Sequence, residues 1–261
     1  MTQNNSPQPH QTMLFSVFVF AILLISLIGA RNVFAFFLQD LTRMLTGHSR
    51  LGLIVYSLLF LPGVIIHEIS HFFVAAFLGV QTGTITIFPS DFSDEGEQSL
   101  GSVQIAKSDV LRASLIGLAP LFLGSLSIIA ITTWQFPQLI DSVLSLEGTL
   151  NQLLIEGKRI LAEPLNLLWL YLIFAISNTM FVSKSDRRSW PALLVLLVLL
   201  ALIATLAGIS SSVINFLRQP ILVALNILTA VFFVSLFVDV LALTPLVVIH
   251  NVVKKLRSSH H

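Results

Sequence analysis

His67-Glu68-Ile69-Ser70-His71 sets two imidazoles and a carboxylate inside otherwise apolar sequence, with Val64-Ile65-Ile66 before it and Phe72-Phe73 after it. Ionisable groups are costly in such surroundings and usually functional. Histidines at i and i+4 share one face of a helix, about one turn apart, the spacing at which two imidazoles grip one tetrahedral zinc ion. In this H-E-x-x-H arrangement the glutamate can take a proton from a water at the open metal position and return it to a leaving amine. That is hydrolytic chemistry. The other histidines, His10, His48, His250, His260 and His261, fall in tails, loops or near a helix end.

Two histidines leave room for a third protein ligand, most often a carboxylate. Glu68, Asp186 and Asp239 are the acidic residues at a useful depth in or beside the apolar segments. Asp186 is the preferred ligand, emerging from the polar turn Lys184-Ser185-Asp186-Arg187-Arg188; Asp239 is the alternative, or else a buried hydrogen-bonded or proton-path group. The chain has no cysteine, which excludes thiolate ligands, cysteine nucleophiles and disulfides.

These residues must be positioned by membrane-type elements. The 261 residues are 55% hydrophobic and 10% charged, with a mean hydropathy of +0.91, outside the range of an ordinary soluble domain. The expected fold class is an all-α polytopic membrane protein of about six transmembrane helices with a small β-hairpin after the second. The lipid bilayer is its solvent. A net charge of +1 and the lack of a basic stripe argue against nucleic acid as a partner. No feature fixes the oligomeric state.

Residues 1–50 read as a disordered tail (1–12), a first span (13–30) and a connection whose 33–45 stretch lies along the interface. Leu27-Ile28-Gly29-Ala30 resembles a signal cleavage site, but no Lys or Arg precedes it, so a retained span is expected. Residues 51–191 hold spans two to four, at 51–78, 109–133 and 165–182, and Pro62-Gly63 should bend the motif helix. An interfacial helix is expected within 134–163. Residues 192–261 complete a fifth span (190–209) and carry a sixth (221–250) and a basic tail.

Between the second and third spans, Thr84-Ile85-Thr86-Ile87 and Ser102-Val103-Gln104-Ile105 alternate with period two across an acidic loop. The edge of such a hairpin can receive an extended peptide by strand addition, and Thr84, Ile85, Thr86 and Ile87 are the candidate substrate-binding residues. Six spans would put both termini, the hairpin and the Asp186 turn on one side. Basic residues lean eight to six toward that side, which marks it as cytoplasmic, in a multi-pass protein of the cell membrane.

Three features resemble the site-2 protease family of intramembrane zinc metalloproteases: His67-Glu68-Ile69-Ser70-His71 in a membrane helix, the strand-like segment after Gly79-Val80, and Asn178 eight residues before Asp186. The interval Gly117 to Gly124 resembles that family's Gly-Pro helix. The likeness covers residues 51–191, the metalloprotease core, with no PDZ or CBS domain. Asn178-Thr179-Met180-Phe181 lacks the family's proline, and Arg187 stands where glycine usually follows the aspartate. The resemblance implies one Zn2+ per chain on His67, His71 and Asp186, with Glu68 as general base. It also implies Asn178 as a substrate-backbone or oxyanion contact, and membrane proteins or peptides as substrates. A catalytically silent relative that binds membrane segments is the alternative; a metal or proton transporter would need more intramembrane ligands.

Overall fold

The computed structural model describes residues 9–87, 100–138, 150–181 and 183–258. Its helices are α1 (Pro9–Thr46), α2 (Ser49–Leu59), α3 (Leu61–Phe77), α4 (Val110–Gln135), α5 (Leu150–Ala162), α6 (Pro164–Thr179), α7 (Trp190–Leu206) and α8 (Ser210–Ser258). Strands β1 (Thr82–Thr86) and β2 (Ser102–Ile105) pair antiparallel between α3 and α4. Among the described residues, three helices are long and apolar enough to cross a membrane: α1 from Leu14, α4 and α8. The bent α2–α3 pair makes a fourth if it counts as one span. These helices are compatible with an integral membrane protein. At 16 and 17 residues, α6 and α7 fall short of the ~20 that a bilayer needs.

Local chemistry explains the element ends. Pro62 sits in the first turn of α3, where its missing N–H costs nothing, and α2 and α3 meet at 65° across Phe60. The bend expected at Pro62-Gly63 is present, two residues early. Gly79 takes a φ of +69° just past α3, and the Val80 N–H returns to the Ala75 carbonyl, closing the helix. The Asp109 carboxylate caps α4 by accepting from the Leu111 and Arg112 N–H groups.

Two expectations from the sequence are corrected. Residues 31–46 do not break away as a separate interfacial helix. Instead, α1 runs unbroken through Arg31, because Leu23, Leu27, Phe34 and Leu41 continue one buried stripe across it. The charge at Arg31 marks no boundary. The second correction concerns direction.

Side-chain contacts fix how the helices run. Gly63 lies against the Ala175 carbonyl and Thr179, and His67 reaches Thr179, so α3 runs parallel to α6. Along α4, Gly117 meets Asp186, Gly124 meets Met180, and Gln135 bonds Asn166, which makes α4 antiparallel to α6. On α8, Phe232 packs on Phe181 and Asp239 on Asn178, again antiparallel. Phe20 stacks on the same Phe232, and Asp40 bonds His250, so α1 and α8 run parallel. The end of α8 therefore leads away from the Asp186 turn. Lys254, Lys255 and Arg257 do not share the side of Lys184, Arg187 and Arg188, and the eight-to-six count loses its basis.

With no native cysteine, single cysteines report sidedness cleanly. Ser185→Cys and Ser258→Cys should label from opposite faces of sealed vesicles with a membrane-impermeant maleimide. Labelling from the same face would contradict the direction of α8.

Candidate metal centre

The apolar helix α3 presents His67, Glu68 and His71 toward the junction of α4, α6 and the 183–189 turn. That turn is built locally: the Ser183 N–H donates to the Asp186 carboxylate at 2.8 Å, and the Asp186 N–H donates back to the Ser183 hydroxyl at 3.2 Å. This reciprocal pair points the carboxylate inward, where its side chain is 12% exposed. Gly117 lets the turn come close, since a β-carbon there would collide with the Asp186 carbonyl.

Each histidine is oriented by a backbone carbonyl. His67 Nδ1 lies 2.7 Å from the Thr179 carbonyl oxygen, and His71 Nδ1 lies 2.9 Å from that of Ile116. A carbonyl can only accept, so both Nδ1 atoms carry hydrogen, and each Nε2 of the neutral rings is a lone pair. The two Nε2 atoms face each other at 3.2 Å. Asp186 closes the triangle, with Oδ1 3.2 Å from His71 Nε2 and Oδ2 3.6 Å from His67 Nε2.

Three acceptors turned toward one point repel unless a cation stands among them. Zinc bonds of about 2.05 Å at tetrahedral angles separate the ligand atoms by about 3.3 Å, close to these distances. The donor set, two neutral imidazoles and one carboxylate, is that of a zinc site with one position open. Burial pushes the Asp186 carboxyl up, while the Ser183 N–H that donates to it favours the ionised form. It stays ionised, as a metal ligand must.

Glu68 is buried beside the first histidine. Gly101, just ahead of β2, sits against its carboxylate and against the Thr86 carbonyl, tying the sheet to the metal site. Thr84, Ile85 and Thr86 lie in β1 and are exposed, as is Ile87, one residue beyond its end. One edge of β1 pairs with β2, and the other has no strand partner among the described residues. The acidic loop lies outside the described residues.

Asn178 is placed otherwise. Its amide donates to the Phe174 carbonyl at 2.9 Å and to Asp239 at 2.8 Å, so the side chain faces α8 and not the His67–His71–Asp186 group. Asp239, the alternative third ligand, is its buried partner and stands outside the metal group. The residues that sequence reasoning missed are the Thr179 and Ile116 carbonyls, which any side chain could supply, and Gly101. Gly117 entered the sequence reading only through the likeness of the Gly117-to-Gly124 interval to a Gly-Pro helix. No family model, curated protein or solved structure matches the chain.

Gly117→Ala replaces no ligand, yet its β-carbon should displace the Asp186 turn and weaken zinc affinity about tenfold or more. Gly29→Ala, with open space around the glycine, should leave affinity unchanged. Competition with a zinc indicator on the purified chain measures both, and unchanged affinity in Gly117→Ala would contradict the placement of Asp186.

Proposed function

We propose that the chain is an intramembrane zinc metalloendopeptidase that hydrolyses peptide bonds in or near the membrane segments of other proteins. The observation that carries this reading is the convergence of His67 Nε2, His71 Nε2 and an Asp186 oxygen within 4.8 Å of one another, with Glu68 on the adjoining helix position. His67, His71 and Asp186 would hold the metal. Zinc so bound acts as a Lewis acid toward the scissile carbonyl and makes water acidic enough to be a nucleophile near neutral pH.

The chain's own groups supply the rest. Glu68, buried and following the first ligand in α3, accepts the proton of the attacking water and passes it to the amine that leaves. A binding protein has no use for that carboxylate in such apolar surroundings, which favours catalysis over the silent reading. The Thr179 and Ile116 carbonyls keep both imidazoles in one tautomer and one orientation through turnover. A peptide inside lipid stays helical because its backbone must be bonded. Unwound, it can pair with the edge of β1 that has no strand partner among the described residues, in the hairpin that Gly101 ties to Glu68.

Glu68→Gln keeps the shape and both histidines but cannot take the proton. It should bind zinc like the parent and lose at least a thousandfold in cleavage of a transmembrane peptide reconstituted with it, the combined loss of base and acid. Undiminished turnover in this variant would exclude the assigned chemistry.

A further inference from the structure

Arg31 sits mid-way along α1 at a core-facing position, four residues after Leu27 and three before Phe34, both of which are buried. It is half-buried and makes no hydrogen bond or ion pair with any other residue of the described chain. No acidic side chain of the described core pairs with it: Asp186 lies with the histidines, Asp239 bonds Asn178, Asp40 bonds His250, and Glu68 sits against Gly101. An uncompensated guanidinium at such a place is costly and is retained where it has an anion to meet.

Beside it is a cavity of about 240 Å³ between α1 and α2, lined by Arg31, Asn32, Gln39, Leu53, Tyr56 and Leu100. Its lining sets one fork of N–H donors, two amides and a phenol against the apolar Ala35, Leu53 and Leu100. Leu100 connects it to the metal centre, because the next residue, Gly101, lies against Glu68 and the Thr86 carbonyl. A peptide whose scissile bond lies at Glu68 therefore has this cavity as a neighbour on the β2 side.

We propose that the cavity is a substrate subsite that takes a carboxylate of the bound peptide, received by the Arg31 guanidinium. A planar fork pairs bidentately with a carboxylate, and partial burial strengthens the pair. Position favours peptide over lipid. Leu100 shares the cavity with Arg31 and adjoins Gly101, which lies against Glu68, so the cavity neighbours the proposed point of cleavage. The inference rests on the proteolytic reading of the metal centre and adds what the site selects.

Binding tests it apart from turnover. Transmembrane peptides identical except for Glu or Gln at each successive position are titrated, in neutral-lipid nanodiscs, against the full chain carrying Glu68→Gln. At one register the Glu peptide should bind about tenfold or more tightly than its Gln twin. Amidated peptides separate a side-chain carboxylate from the C-terminal one. Arg31→Glu should reverse the preference toward Lys at that register, with zinc content equal to the parent as the check on folding. Equal affinities at every position and for both C-terminal forms overturn the inference, as does binding of anionic lipid headgroups without Glu over Gln discrimination. The first comparison needs no change at Arg31, so a poorly folding variant leaves it decisive. If the unmodified chain cuts neither peptide although the preference is present, proteolysis fails and the subsite stands. If it cuts both equally and shows no preference, the subsite alone fails.

Discussion

Two hydrogen bonds from imidazole to backbone govern the centre of this molecule. His67 to the Thr179 carbonyl joins α3 to α6, and His71 to the Ile116 carbonyl joins α3 to α4. Each consumes the one N–H of a neutral imidazole and turns its lone pair inward, so packing of three helices and preparation of the metal ligands are one event. The Ile116 carbonyl is open because Pro120, four residues on, has no N–H, and the Thr179 carbonyl lies at the end of α6, so each ring bonds an acceptor its helix leaves unmet. Losing either histidine loosens both the site and the three-helix contact.

Close helix approach is the condition for those bonds, and small residues provide it. Gly63 brings α3 against the Ala175 carbonyl, and Gly117 brings the Asp186 turn against α4. Association of helices in lipid depends on such contact, since apolar side chains gain little by leaving one hydrocarbon environment for another. The sheet then closes over the same point through Gly101. Glu68, the His67–His71–Asp186 group and the end of the sheet come together there, while α1 and α8 pack as a parallel pair along the flank.

Much of this was legible in the sequence, where side-chain identity carries the information. H-E-x-x-H and the polar turn pointed to the side chains that the fold gathers, His67, His71 and Asp186, Pro62-Gly63 announced the bend, and period-two alternation located both strands. Where backbone or tertiary direction decides, the sequence was silent. The carbonyls of Thr179 and Ile116 have no residue signature. Arg31 read as a helix boundary because charge usually marks one, yet the stripe through Leu27 and Phe34 carries the helix past it. The hydropathy of α8 gave its existence but not its parallel course beside α1, nor its 49-residue length, which at ~1.5 Å per residue far exceeds one bilayer crossing. Asn178 looked like a site residue until its amide was found on Asp239.

Metal stoichiometry bears most directly on the whole account. Elemental mass spectrometry on the detergent-purified chain, beside Asp186→Ala prepared in the same way, asks whether a cation is what the three facing acceptors await. One zinc per chain, lost in Asp186→Ala while the helical content is kept, is the predicted result. An unmodified chain that takes up no zinc even when supplied with it, or an Asp186→Ala chain that holds zinc as firmly as the parent, would contradict the account.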